Sequence, residues 1–401
     1  SETEFTGTLP DSPASWYDDG ATVGLSAIIT DLAGNSKQGN TSATTITIDE
    51  SAPTIANYVV SEAIATGGNI VANYWNSTNT GLDVGVEVLN VDATVTGGSV
   101  RILAGIGTDA GSAAYHQLGD PVLVRPGDNT ENGIIGTNAY PDAIAITKAQ
   151  VEAQDEYAEG QVINLKAEVV DIAGNKTVIN VGSDKLTIDT VIPTISRVES
   201  INPGDGSANN GLFGIGSDIN IKFTFSETLT LTDGVATVGL DVITAPEIAG
   251  ADLQGVDNVT IVYTVEENDS SGSLTFTGLT LPTGKLRDNA GNDMAVFTAE
   301  SGSSLEDIST VEVDGIYPTA FQVDSVFSVY VDGADAGRYW NSNTDKLIVR
   351  VSNAPGDNDL SLIGGSVQIL GRVYNGTTAP EEWLEIGTAT VLVESIADGG
   401  G

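Results

Sequence analysis

Apolar and polar residues alternate along most of this chain in short runs. Clear examples occupy residues 82–88, 162–169, 219–225, 259–265 and 347–351. A period of two predicts β-strands with one buried and one solvated face. Clusters of Gly, Asn, Asp and Pro interrupt the runs about every ten residues and supply turns between strands. The pattern therefore predicts an all-β fold made of antiparallel β-sandwiches.

Helix-forming residues are concentrated in one place, residues 146–153. This stretch is long enough for a connecting turn or two of helix and no more.

One motif, Asp-x-Ala-Gly-Asn, occurs three times, at residues 31–35, 171–175 and 288–292. Each copy is followed by an alternating run, an Asp and then a Pro. The prolines are Pro53, Pro193 and Pro318. Self-similarity of this kind indicates a repeat architecture, so we expect the prolines to mark joints between units.

The repeated units alternate in length. Pro53 and Pro193 are 140 residues apart, whereas Pro193 and Pro318 are 125 apart. The sequence Tyr-Trp-Asn-Ser at residues 74–77 recurs at 339–342, a separation of 265 that equals one long unit plus one short unit. We predict a closing half of a long unit at 1–52, a long unit at 53–193, a short unit at 194–318 and an opening half of a long unit at 319–401.

The first and last of these segments correspond to complementary halves of one long unit. Two interpretations are open. The chain is an excerpt from a longer array, or subunits join head to tail, the closing half of one chain completing the sandwich begun by another.

These motifs resemble those of a known family of repeats. Asp-x-Ala-Gly-Asn, a strand and Ile-Asp-x-x-x-Pro-Thr-Ile resemble the closing hairpin of bacterial and archaeal Ig-like (Big-type) repeats of large surface adhesins and surface-layer proteins. Residues 223–227, Phe-Thr-Phe-Ser-Glu, resemble the Ser-Glu strand of that family. The resemblance implies tandem Ig-like sandwiches in an elongated extracellular array at the cell surface. It also implies use in reach, adhesion or lattice building, often with calcium at the domain joints.

Charge narrows the choice of partners. The 401 residues include 15 Lys plus Arg against 55 Asp plus Glu, a net charge of −40. Such a polyanion repels nucleic acid and anionic lipid surfaces, whereas cations are attracted to it. No apolar run is long enough to insert into a membrane as a helix.

Residue types also limit the chemistry. The chain has no Cys and a single His, His116. A disulfide framework is therefore impossible, and a zinc site rich in His or Cys is excluded. The glycine-rich residues 211–216 precede a strand and not a helix, so they make no phosphate cradle. We expect a non-enzymatic protein.

The recurrent aspartates are the candidate calcium ligands. They are Asp31, Asp171 and Asp288 in the turns and Asp49, Asp189 and Asp314 at the joints. Calcium binds six to eight oxygens, which Asp-rich and Asn-rich loops provide. A turn and a joint aspartate of one unit share an ion only if both lie at the same end of the sandwich. The alternative needs no ion: the turn Asp caps its own loop, Gly adopts positive φ, and Asn tolerates the left-handed region.

Trp75 and Trp340 occupy equivalent positions in the repeated Tyr-Trp-Asn-Ser sequence. An exposed Trp stacks on sugar rings, which makes a glycan-binding module the alternative function. An aromatic residue just before an alternating strand more often plugs the end of a sandwich core. We expect a structural array that forms a surface layer, fibre or adhesin stalk. Its partners would be copies of itself or neighbouring repeats, with surface glycans as the alternative.

Overall fold

The computed structural model describes residues 4–8, 18–53, 60–88, 93–107, 114–125, 133–135, 144–318, 321–353, 365–372 and 382–391. Their regular structure is almost entirely strand, with only short helical turns, so the prediction of an all-β fold is confirmed. The alternating run at 219–225, for example, lies in a strand whose inward residues are buried and whose outward residues are not.

The first segment has four short strands. They are β1 (Thr22–Val23), β2 (Ile28–Thr30), β3 (Ser36–Gln38) and β4 (Ile46–Thr47). Strand β1 pairs with β4, and β2 pairs with β3, antiparallel in both cases. Large apolar residues remain exposed here, since Leu25 is 50% and Ile29 is 76% exposed.

The described residues from 60 to 189 form nine strands and one α-helix, besides a turn of 3-10 helix at Ala93–Val95. They are β5 (Val60–Thr66), β6 (Tyr74–Asn76), β7 (Gly81–Val88), β8 (Ser99–Gly107), β9 (His116–Leu123), β10 (Gly133–Ile135), β11 (Ile144–Thr147), α1 (Lys148–Glu152), β12 (Val162–Val170) and β13 (Lys176–Asp189). One sheet contains β5, β10, β7 and β11, and the other has the order β6-β13-β12-β8-β9. Apolar residues of both sheets share one buried core, whose members run from Ala65 to Ile188.

The segment from 195 to 314 has ten strands and one helix. They are β14 (Ile195–Ile201), β15 (Gly211–Gly214), β16 (Asp218–Leu231), β17 (Val235–Leu240), β18 (Glu247–Ala249), β19 (Gln254–Thr264), β20 (Ser270–Ser271), β21 (Phe276–Thr280), β22 (Leu286–Asp288), α2 (Leu305–Ile308) and β23 (Val311–Asp314). A second core, from Ile195 to Val313, lies within this segment. Each core thus falls inside one predicted unit, 53–193 or 194–318, although the unit boundaries themselves stay a prediction.

The described residues of the last segment form five strands. They are β24 (Phe321–Tyr330), β25 (Asp335–Gly337), β26 (Thr344–Asn353), β27 (Ser366–Gly371) and β28 (Leu384–Val391). Strand β24 pairs with β25 and β26, and β27 pairs with β28. Here too the large apolar residues are exposed, with Trp340 at 63% and Leu347 at 38%.

One feature is common to the two complete cores. A short strand from early in the segment runs parallel to its closing strand: β6 lies beside β13, and β15 beside β23. Every other strand pair in the described part of the chain is antiparallel. Each closing strand therefore ends beside an early loop of its own segment, and this arrangement brings the loop to the joint.

The predicted helical turn is present and short. It is α1, five residues long, and Thr147 caps it by accepting a hydrogen bond from the backbone N–H of Gln150. Neither helix in the described residues is long and apolar enough to cross a membrane.

Candidate metal centre

The Asp-x-Ala-Gly-Asn turn has the same internal bonds in all three copies. The Asp side chain accepts a hydrogen bond from the backbone N–H of the Asn four residues later, at 2.8 Å in each copy. Each turn glycine has positive φ: +90° at Gly34, +99° at Gly174 and +100° at Gly291. The motif therefore specifies a self-capped turn, which forms without any ion.

The turn asparagines do not adopt the left-handed backbone conformation, although Asn tolerates it. Among the described residues only Asn73 and Asn268 combine a side chain with positive φ. The turn asparagines instead donate their side-chain amide to the Asp of the same turn, for example Asn292 Nδ2 to Asp288 Oδ2 at 2.7 Å. This bond fixes the orientation of both side chains.

The turn amide also reaches the preceding unit. Asn292 Nδ2 contacts the Asp189 carbonyl oxygen at 3.0 Å and Asp189 Oδ1 at 3.4 Å. Asn175 Nδ2 contacts the same two atoms of Asp49 at 3.0 and 3.3 Å. Asp49 and Asp189 therefore each meet the turn of the next unit.

Aspartates of a single unit do not meet in this way. Asp171 precedes β13 and Asp189 ends it, and β13 is 14 residues long. The turn and the joint aspartate of one unit thus lie at opposite ends of their sandwich. An ion shared between aspartates has to bind between successive units.

Strand β6 and the loops on either side of it complete the contact between the two cores. Asn76 is fully buried, and its Nδ2 donates to the Ala290 carbonyl at 2.7 Å. Asn69 Nδ2 donates to the Gly291 carbonyl at 2.7 Å. The Ser77 N–H donates to Asn292 Oδ1 at 2.8 Å. The 288–292 turn is therefore held by two elements of the preceding segment.

Three carboxylates converge at this joint. One oxygen each of Asp189, Glu227 and Asp288 lies within 4.8 Å of the others. Asp288 is buried, and the other two are half-buried. Glu227 Oε1 is buried without a hydrogen-bond partner. We call these three residues the joint cluster.

Burial and mutual repulsion weaken the acidity of the joint cluster. Burial, followed by the charge of Asp288, raises the pKa of Asp189 to about 6. The same two causes raise the pKa of Glu227 to about 7, with Asp189 and Glu159 adding smaller contributions. The ion pairs formed among the described residues include none of the three cluster members. Like charges are therefore held together without a basic neighbour.

The donor atoms fit calcium. All three side chains are carboxylates, the hard oxygen ligands that calcium prefers, and together they offer up to six oxygens. Glu227 Oε1 has no protein donor, so a cation would satisfy it. Sequence reasoning identified Asp189 and Asp288 but not Glu227. The Ser-Glu element of the short unit was the signal that could have added it.

The remaining predicted aspartates are placed differently. Asp49 and Asp171 meet at the earlier joint, bridged by Asn175, but no third acid of the described residues joins them as Glu227 does. Asp31 is exposed and bonds within its own turn. Asp314 ends β23 and accepts a hydrogen bond from the Ile316 N–H at 3.1 Å.

The two tryptophans have opposite environments. Trp75 is fully buried, and its Nε1 donates to the Tyr157 hydroxyl at 3.0 Å, so its ring faces core residues. Trp340 is 63% exposed.

Several solved structures are similar to the chain. One is from a 1.5-MDa bacterial ice-binding adhesin, with 12% identity over 71% of this chain and 76% of that one and a TM-score of 0.27. Another is a Ca²⁺-stabilized adhesin that helps an Antarctic bacterium bind ice, with 13% identity over 91% and 67% and a TM-score of 0.29. A third is native E. coli alpha-2-macroglobulin, with 9% identity over 78% and 21% and a TM-score of 0.19.

These TM-scores are too low to establish a shared fold, so the proposals below depend on the chain's own residues. No protein-family model and no curated protein matches the sequence.

Proposed function

We propose that this chain is a non-enzymatic structural protein of the cell surface. Its Ig-like sandwiches form an extended array that serves as a surface layer, a fibre or an adhesin stalk. Calcium bound at the joint cluster would fix the angle between the units at 53–193 and 194–318. Neighbouring units, in the same chain or in a second copy, would extend the array. The extracellular location fits a charge of −40, which calcium at the joints would partly neutralise.

The joint cluster is the observation that carries this proposal. Asp189 comes from one core segment, and Glu227 and Asp288 come from the next. Without a cation these carboxylates repel one another, which favours separation of the two segments. A bound cation reverses the sign of that interaction, because separating the segments would then break ligand bonds. Calcium would therefore stabilise the joint specifically.

The glycan-binding alternative now depends on Trp340. Trp75 is buried and presents no face to a sugar ring, whereas Trp340 is exposed. Glycan binding through Trp340 stays a prediction.

A calcium titration tests the array proposal. We expect heat release on calcium addition, and a rise in stability of ~2.7 kcal/mol when calcium is 100 times its Kd. Asp189→Asn and Glu227→Gln should each weaken the binding measured by isothermal titration calorimetry. Asp314→Asn is the matched control, because Asp314 has the same place at the end of a closing strand but no described partner unit.

Shape measurements complete the test. In small-angle X-ray scattering, calcium should narrow the distribution of dimensions of the wild-type chain but not of Glu227→Gln. Equal calcium binding by wild type and both cluster variants, or no binding at all, would refute the calcium joint.

A further inference from the structure

The closing segment, residues 18–53, exposes the residues that are core residues in the long unit. Its sequence aligns with residues 158–193 at a constant spacing of 140. Leu25 and Ile29 thereby match Leu165 and Val169. The first two are 50% and 76% exposed, whereas the second two are 3% and 0% exposed.

The opening segment, residues 321–391, exposes the complementary face. Trp340 and Leu347 match Trp75 and Leu82, which are both fully buried. The strands of this segment line an open groove of about 610 Å³. Its walls include Val326, Ser328, Trp340 and Leu347. The groove thus exposes residues whose matches in the long unit are buried.

Both complete cores show which strand covers such a face. In the long unit Ile188 of β13 lies opposite Trp75 of β6, in parallel register. In the short unit Val313 of β23 lies opposite Phe213 of β15 in the same way. By the same register, Ile48 is the residue that belongs opposite Trp340.

The closing half already has the local pairing of the complete unit, since Thr22 pairs with Thr47 as Val162 pairs with Thr187. In the closing segment the Gly20 N–H donates to the Ile48 carbonyl at 2.9 Å, matching Gly160 to Ile188 at 2.8 Å. In the opening segment Asn341 Oδ1 accepts from the Asn343 N–H at 2.8 Å. Docking would therefore need little rearrangement of the closing backbone, whereas residues 339–341 of the opening segment, which follow β25, would have to become a strand as residues 74–76 are in the long unit.

We propose that the closing segment of one copy docks onto the opening segment of a second copy and completes a long-unit sandwich. Thr47, Ile48 and Asp49 lie parallel to Tyr339, Trp340 and Asn341. Strand β2 adds to the edge of β27, with Ile29 opposite Val367, as Val169 lies opposite Val100 in the long unit. The occupant is a second copy, because the apolar pattern and register that the groove requires are those of residues 18–53.

Docking also completes the earlier joint. In the long unit Asn76 lies opposite Asp189 and reaches the Ala290 carbonyl of the next turn. In the docked pair Asn341 takes that position and faces the turn at 171–175. The contact is head to tail and does not use the same surface twice, so repeated docking produces a filament of copies. The inference rests on the proposed array function for its biological role but not for its geometry.

Cysteine cross-linking tests the register, since the chain has no native Cys. Thr47→Cys and Tyr339→Cys are introduced together into the full chain. Both residues are exposed, and their matches in the long unit, Thr187 and Tyr74, are only half-buried. Under mild oxidation we expect a ladder of covalent multimers at multiples of 41.2 kDa. The matched control combines Thr47→Cys with Gln322→Cys. Gln322 is exposed and lies near the start of β24, whereas Tyr339 contacts Ser328 near the end of that strand.

The same gel tests the role of Trp340. Adding Trp340→Ala should weaken association at least ~100-fold and remove the ladder at low concentration. Trp383→Ala, which removes another exposed Trp, should leave the ladder intact. Three results would overturn the docking: only uncross-linked monomer, only internally cross-linked monomer, or equal ladders from the two cysteine pairs. Circular dichroism spectra that match the wild type exclude misfolding of the variants.

Running the gel in calcium and in chelator separates this inference from the array proposal. The docked register contains no member of the joint cluster, so the ladder should form in both. A ladder without calcium binding would refute the calcium joint alone. Calcium binding without a ladder would refute the docking alone.

Discussion

Trp75 and Trp340 have the same sequence neighbours, Tyr-Trp-Asn-Ser, but opposite burial. Trp75 is 0% exposed, whereas Trp340 is 63% exposed. The difference lies in the strand alongside: β13 covers Trp75, and no described strand has that position beside Trp340. A local sequence thus determines that a residue is suited to a core. Burial requires a second strand from much farther along the chain.

The turns provide a parallel comparison. Asn292 is fully buried between two units, whereas Asn35, in the same motif, is exposed. Both make the internal bonds of the turn. The turn therefore forms through its own local hydrogen bonds. The copy at 288–292 also binds the preceding unit.

Replacing each tryptophan by alanine should give the largest difference in stability between the two environments. Trp75→Ala should lower the free energy of unfolding of the long unit by ~3–5 kcal/mol, because it leaves a cavity in a packed core. Trp340→Ala should cost less than ~0.5 kcal/mol in dilute solution, where its ring is solvated. Urea denaturation followed by circular dichroism measures both. Similar losses would show that the two environments are alike.

Adding a methyl group to each turn glycine should distinguish the exposed turn at 31–35 from the turn at 288–292, which contacts the preceding unit. A Cβ on Gly291 would lie 2.8 Å from Asn76 Nδ2 and 2.9 Å from Val71 Cγ2, whereas a Cβ on Gly34 meets nothing within 4 Å. Both Ala substitutions bear the cost of positive φ, ~1–2 kcal/mol. Gly291→Ala should cost a further ~1–3 kcal/mol from overpacking. Thermal unfolding compares the two, and equal shifts would contradict a tight joint.

Truncating the turn asparagines should have a smaller effect. Asn292→Ala removes donors to Asp288 and Asp189 at a buried position and should cost ~1–3 kcal/mol in chelator. Asn35→Ala, at an exposed position, should cost ~0.5 kcal/mol or less. Both are measured by thermal unfolding in the same buffer. A larger loss from Asn35→Ala would mean that the turn matters more than the joint.

The smallest expected effect is on the dependence of stability on pH. In the folded chain the pKa of Glu227 is about 7, above its ordinary value of 4.5. Between these values the folded state keeps a proton that the unfolded state releases, so stability falls as pH rises. Asp189, with its pKa raised to about 6, acts in the same direction.

In chelator we therefore expect the Tm of the wild type to decrease from pH 5 to pH 7, within the window between these raised pKa values and the ordinary ones. Glu227→Gln should flatten this dependence, whereas Glu312→Gln, at an exposed position, should preserve it. Calcium should reduce the decrease, because it binds the ionised carboxylates. A Tm that rises over this range in chelator would contradict the repulsion inferred at the joint cluster.

Much of the fold could be predicted because its signals are local. Alternation identified strands such as β7, β16 and β26, and the repeated motif identified the turns. The candidate site was predicted only in part. Sequence reasoning identified Asp189 and Asp288 but considered only pairing within one unit, since pairing between units depends on which ends of two sandwiches meet. Glu227 comes from a third strand and has no spacing in common with them.

The sequence alone determined the all-β class, the turns and the exclusion of thiol and histidine-rich chemistry. These follow from residue types and from contacts within a few positions. Tertiary structure decided that a turn meets the preceding unit's aspartate, that Glu227 joins them and that Trp75 is buried while Trp340 is exposed. Such outcomes depend on contacts between residues more than 100 positions apart in several cases, and a local pattern cannot encode which distant surface will be adjacent.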